Sequence, residues 1–166
     1  MDAGHGQVSA MSIKDAMCRF ITGVTAVTTH YDGQDWGMTC NSFNVVSLEP
    51  AMVLWSIRKE ARAHQAFTQS ASYVVNVLNA DQKETALRFA SGPQPQRFTE
   101  QASERTIQKN IKLVGSVAWF ECRLAQVVSA GDHDILIGEV VGYGSRDGKG
   151  LAYANRQFGL LNAVET

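Results

Sequence analysis

The 166-residue chain predicts a single mainly β (α+β) domain, an antiparallel barrel with helical additions. Three observations carry that expectation. Runs rich in β-branched and aromatic residues recur at 24–31, 52–57, 73–78, 117–128 and 134–143. Asp32-Gly33 and Ala130-Gly131-Asp132 punctuate such runs as hairpin turns. Helical patterns do not alternate regularly with the strands, which disfavours a doubly wound parallel sheet.

In chain order, 1–11 are polar and aperiodic and read as a flexible arm ahead of a domain at 12–166. Ser12 caps a first helix, with Asp15 three residues on. Ile13, Ala16, Met17, Phe20 and Ile21 share one face of it, and Gly23 ends it. Val24–Tyr31 is a strand, Asp32-Gly33 turns, and a second strand starts near Trp36. Met52–Ile57 is a buried strand, and Arg58–Ser70 a helix with Ala61, His64 and Phe67 at helical spacing. Tyr73–Leu78 is the next strand, and Asp81 with Glu84 opens a helix through Ala90. Gly92-Pro-Gln-Pro95 forms a loop, and 96–112 carry no readable period. The two long strands at 117–128 and 134–143 precede a turn at Asp147-Gly148 and a last strand at Leu151–Tyr153.

Composition narrows the class of function. Charged residues are 19% and hydrophobic ones 45%, as in a globular domain, and the net charge of −1 argues against a nucleic-acid binder. Cys18, Cys40 and Cys122 are widely separated, with no metal or redox spacing, which fits a reducing cytoplasm. The start, Met1 to Met11, lacks the pattern of a signal peptide, and no run approaches the ~20 apolar residues of a membrane span. No histidines, and no histidine with a cysteine, show metal-ligand spacing, so no metal site is expected. Gly142-Tyr-Gly144-Ser-Arg-Asp-Gly148 resembles a dinucleotide fingerprint only loosely. Its third glycine falls one place late and opens no helix, so these are read as turn glycines.

The most telling stretch is Gly37-Met-Thr-Cys-Asn-Ser-Phe-Asn-Val-Val-Ser-Leu-Glu-Pro50. Thr39, Asn41, Ser42, Asn44 and Ser47 alternate with apolar residues in a strand-like run. So many hydrogen-bonding side chains imply a polar, planar or phosphorylated partner. Together with Arg19-Phe20-x-Thr22-Gly23-Val24-Thr25, Val46-Ser47-Leu48-x-Pro50 and Gly131-Asp132-His133-x-Ile135-x-Ile137-Gly138-Glu139-Val140, it resembles the flavin reductase family. These are the small partners of two-component flavin-dependent monooxygenases, and the resemblance spans nearly all of 12–158. It implies an FMN-binding split β-barrel (Greek-key-like), FMN or FAD as flavin, and NADH or NADPH as hydride donor. It also implies a homodimer with the site at its interface and an oxygenase component that receives reduced flavin.

Thr39, Cys40, Asn41, Ser42 and Ser47 are then expected along the flavin's polar edge, where donors near N1 and O2 favour the reduced anion. The plain alternative is that Asn41 and Ser42 organise a turn. Ser56 and Arg62, with Arg58 and Lys59 nearby, mark a strand end and helix start suited to the flavin phosphate. The alternative is a solvated basic face. Glu60 departs from the small or basic residue expected in that segment. His133 is expected to face flavin and nicotinamide, which must stack at about 3–3.5 Å for hydride transfer; a turn histidine without a role is its alternative. Phe158 matches a family position near the ring, though core packing explains it equally. The stretch after Gly159 is short, so the nicotinamide side is expected to be closed by the second subunit.

Three other functions remain on the sequence alone. A flavin carrier of the same fold would keep 39–47 without needing His133 at the ring. An oxidase of the pyridoxamine phosphate type would need a second basic cluster, which the sequence lacks. An assembly domain would bind no flavin.

Overall fold

The computed structural model describes residues 10–160. The proposed flexible arm therefore lies outside the described residues apart from 10 and 11, as do 161–166. Twelve strands and four helices follow one another: α1 (Ala10–Met17), β1 (Thr22–Gly23), β2 (Thr25–Tyr31), β3 (Gln34–Cys40), β4 (Asn44–Leu48), β5 (Ala51–Arg58), α2 (His64–Gln69), β6 (Ser72–Val77), α3 (Lys83–Ala90), α4 (Gln94–Arg97), β7 (Ser103–Arg105), β8 (Ile111–Leu113), β9 (Ala118–Ala130), β10 (His133–Ser145), β11 (Leu151–Ala154) and β12 (Gln157–Leu160).

Seven of the strands build one antiparallel sheet in the order β3-β2-β6-β9-β10-β5-β4. It does not close, since β3 and β4 are its edges. It nevertheless wraps one core: Val27, Cys40, Trp55, Ile57, Tyr73, Cys122 and Leu136, from six different strands, share a single buried cluster. Trp55 is its centre, with Phe67 of α2 edge-on at 4.9 Å and Tyr73 at 5.8 Å. Burying side chains of this size contributes about 1.5–3 kcal/mol each. A second cluster on the other face, with Val24, Leu78, Phe89, Ile111 and Leu151, seats α3 and the small β7-β8 sheet. β1, β11 and β12 form a third sheet. The mainly β, antiparallel architecture with flanking helices agrees with the sequence reading.

Several elements differ in extent. Ser12 lies inside α1 rather than capping it, and α1 stops at Met17. Phe20 and Ile21 follow it, 76% and 53% exposed, so the expected apolar face is not covered by this chain's described residues. The helix expected over 58–70 is only α2. Arg58 completes β5, and the chain turns through Ala61 and Ala63 with Ala61 N–H donating to Arg58 O. Gln82, not Asp81, opens α3: its side chain accepts from Asn79 N–H and donates to Val114 O, so it fixes the preceding loop. The unreadable stretch at 96–112 holds the end of α4 and the β7-β8 hairpin, whose three-residue strands are too short to show a period. Gly142 and Gly144 lie in β10, not in a turn. A Cβ on Gly144 would stand 2.6 Å from Trp119 Nε1, so packing rather than turning requires that glycine.

Both hairpin turns are as their residues demand. Asp32 and Gly33 have φ of 50° and 73°, the two left-handed positions of a type I′ turn. The β9-β10 turn has Gly131 at φ 61°, with His133 pairing Ala130.

Candidate flavin-binding groove

A cavity of about 320 Å³ opens where β3 leaves the sheet edge, lined by Met38, Thr39, Cys40, Asn41, Ser42, Ser56, Arg58, Ala61 and His133. A second, of about 220 Å³, shares Met38, Thr39 and Ala61 with it and continues between Arg62, Phe89, Gln94 and Arg97. Together they form one groove: a wide end at His133, and a narrower end with two guanidinium groups.

The floor is β3. Gly37 donates its N–H to Gln94 Oε1 at 2.9 Å and accepts from Arg97 Nη1 at 2.7 Å, so its peptide groups point off the sheet edge. Peptide groups of alternate residues leave an antiparallel strand on the same side. Thr39 therefore presents its backbone N–H and C=O to the groove as well. Its side chain does not: Thr39 Oγ1 donates to Ala86 O of α3. The backbone is what this residue offers a ligand.

Beyond Cys40 the chain bends. Ser42 N–H points to Cys40 Sγ at 3.3 Å, and Ser42 Oγ accepts from Ser56 N–H at 2.9 Å. The Ser42 hydroxyl thus ties the end of β3 to β5 across the mouth, and leaves Asn41 exposed at the rim. Turn organisation and groove lining are both properties of this segment.

At the wide end, His133 pairs Arg58 across β10 and β5. Its Nδ1 lies 2.7 Å from Asp132 Oδ1, which leaves Nε2 as the free ring nitrogen. The hydrogen bond to this imidazole holds the Asp132 carboxyl below its ordinary range. At the narrow end the two arginines differ. Arg97 caps α3, with Nη1 donating to Phe89 O at 2.7 Å and Nη2 to Gly92 O at 3.0 Å, besides the bond to Gly37. Burial, then the neighbouring Arg62 charge, lowers the pKa of Arg97. Arg62 is exposed, and is the cation this end offers. α2 is only six residues long, so the phosphate reading rests on Arg62 and not on a helix end.

The groove therefore gathers Thr39, Cys40, Asn41, Ser42, Ser56, Arg62 and His133, seven of the residues singled out in the sequence. Two others lie elsewhere. Ser47 pairs with Met52 on the edge strand β4. Phe158 sits on β12 against Tyr153, with ring centroids 5.2 Å apart, in the second core. Arg97 and Gln94 were not expected; their only local signal is the Gly-Pro break before them. His64, placed on its helix's apolar stripe, bonds Asp134 at 2.6 Å, and His30 bonds Asp35 at 2.8 Å. Among the described residues no three His, Cys, Asp or Glu side chains converge on a metal position, and no helix is long and apolar enough to cross a membrane.

The flavin reductase like domain model matches residues 17–161. The chain belongs to the flavin reductase family. The reductase component of the flavin-dependent trigonelline monooxygenase of Acinetobacter baylyi is 41% identical over 142 residues, 85% of this chain and 46% of that protein. An FMN reductase (NADH) of Agrobacterium fabrum is 38% identical over 157 residues, 95% of this chain and 89% of its own length. The chain thus spans about half the length of some relatives and most of others. Among solved structures, the NADH:FAD oxidoreductase of Streptomyces globisporus superposes with a TM-score of 0.89 at 30% identity, covering 96% of this chain and 99% of that one. The flavin reductase component of a bacterial two-component tryptophan halogenase superposes at 0.87 with 34% identity, covering 94% and 100%.

Proposed function

We propose that this family member is an NAD(P)H-dependent flavin reductase that reduces FMN or FAD and releases it to a partner monooxygenase. The observation that carries the reading is the two-ended groove: outward peptide groups of β3 along its floor, Met38 and Ala61 where the two ends meet, and Arg62 at the narrow end. Flavin, when bound, supplies the hydride acceptor. Thr39 N–H and C=O meet the polar ring edge, Met38 and Ala61 wall the ring, and Arg62 receives the phosphate at the narrow end, while Ser56 stays with His133 at the wide end. His133, fixed through Nδ1, turns Nε2 to the hydride donor and orients its carboxamide. The open mouth suits exchange of oxidised for reduced flavin.

A second copy of the chain completes the site in this reading. An apolar cleft of about 560 Å³ runs from Met17, Phe20 and Tyr153 to Asn41 and Ser42, so it meets the ring end directly. Met17, Phe20, Val45 and Leu48 are 64%, 76%, 56% and 86% exposed on this chain. Apolar exposure of that extent beside a binding site marks an interface.

The test is turnover. Purified protein with NADH or NADPH and FMN, FAD or riboflavin is followed at about 340 nm, where the reduced nicotinamide absorbs and donor oxidation is read as the fall in absorbance, with mass in solution measured alongside. Flavin-dependent loss of absorbance by a dimer is expected. Flavin retention without turnover would leave a carrier, and no retention an assembly domain.

A further inference from the structure

A hairpin tip is ordinarily a low-stability part of a sheet, because little packs beneath it. The tip that carries His133 is an exception, and the reason lies 70 residues or more away in sequence. Lys59 follows the last residue of β5. Its backbone N–H donates to Asp132 O at 3.0 Å, and its Nζ donates to Gly131 O and to Ser129 Oγ, each at 2.7 Å. One residue therefore makes two hydrogen bonds to the turn between β9 and β10 and a third to the end of β9. The ammonium is itself directed from below. Asp134 Oδ1 lies 3.9 Å from Lys59 Nζ, and Asp134 Oδ2 is 2.6 Å from His64 Nε2. Asp134 is buried, and β5 is rooted in the core through Trp55 and Ile57, which have no exposed surface.

We infer that Lys59, held by Asp134 and His64, is a positioning residue that fixes the Gly131–His133 turn and so places the His133 imidazole over the ring end of the groove. The inference rests on the reductase reading of that groove. Lys59 lines neither half of it, so its effect passes through His133. Charge explains why a lysine suits the place. Two neutral acceptors at a turn, with a carboxylate behind, are met by one group carrying three donors. A methionine there would keep the stem's packing and lose the Nζ bonds.

The experiment compares Lys59→Met, Lys59→Arg, Ser129→Ala, His133→Ala and the Lys59→Met/His133→Ala double variant. Lys59→Met is expected to lower kcat/KM for the nicotinamide about 10-fold, the order of effect for a sub-ångström misplacement. Its flavin affinity should stay within about twofold, since the groove's flavin contacts are untouched. Lys59→Arg should recover most of the loss, and Ser129→Ala, which removes one bond, should fall between. In the His133→Ala background Lys59→Met should cost nothing more, because a residue acting through His133 has nothing left to position. Losses that multiply in the double variant, or a Lys59→Met enzyme with wild-type kinetics, would overturn the inference. Amide hydrogen exchange at 129–134 gives a readout independent of turnover. Faster exchange confined to the tip in Lys59→Met supports the clamp, and unchanged exchange refutes it. A wild-type protein without turnover fails the reductase reading instead.

Discussion

Replacing Arg62 by alanine separates a phosphate site from a solvated surface charge. Two guanidinium groups line the narrow end of the groove, but Arg97 already donates to the carbonyls of Gly37, Phe89 and Gly92. Arg62 is thus left as the counter-charge for a phosphate. A charge-assisted hydrogen bond contributes about 1.5–3 kcal/mol. Arg62 is exposed, and screening by solvent reduces that figure to about 1 kcal/mol. At about 1.4 kcal/mol per decade, the KM for FMN should rise about fivefold. Riboflavin has the same ring and no phosphate, so its KM should not change. The assay is steady-state turnover of both flavins at low and at raised salt, with Arg62→Lys as the conservative control. The FMN penalty should shrink as salt rises. Equal losses for FMN and riboflavin would show that Arg62 shapes the groove rather than binding phosphate, and no loss for either would remove it from the site.

Other expectations concern the scaffold. Gly138→Ala would put a Cβ 2.2 Å from Tyr73 Oη and 2.9 Å from Cys122 Cβ, both fully buried. Overpacking of this kind should cost about 2–3 kcal/mol. For a domain of this size that lowers Tm by about 5–10 °C in a thermal melt; an unchanged Tm would mean that the core has slack. Asp35 gives a pH test. Burial alone would raise its carboxyl, but hydrogen bonds from Arg105 and His30 outweigh it and hold the pKa below 3.8. A lowered carboxyl contributes stability above its unfolded value, and that contribution is lost as pH falls through the lower folded value. Asp35→Asn should therefore be less stable than wild type at neutral pH and show a flatter acid limb in urea melts. Parallel acid limbs would refute the linkage.

The groove was legible in outline because its floor and mouth lie in one stretch. Residues 39–42 are consecutive, and a polar strand followed by a bend shows in composition alone. Ser47 had the same composition without the same place, since residues on the edge strand β4 continue past the groove while β3 ends at it. Phe158 shows the converse limit: an aromatic residue in a β-strand reads the same whether it meets a ligand or, as here, Tyr153 and the second core.

Local punctuation, and hence the fold class, is readable from residue order without the structure. The hairpin turn at Asp32-Gly33 depends on backbone preferences of those residues, and the β-branched runs on either side of such turns pair accordingly. The flavin reductase likeness is readable in the same way, through motifs that keep their order and spacing. Which chemical groups face the groove depends instead on how the elements pack. α3 packs beside β3 and takes the Thr39 hydroxyl for Ala86 O, which leaves the backbone of Thr39 rather than its side chain open to the groove. Arg97 reaches Gly37 across 60 residues and Lys59 reaches Gly131 across 72. Such pairings depend on how the sheet wraps, and no local period or propensity records them.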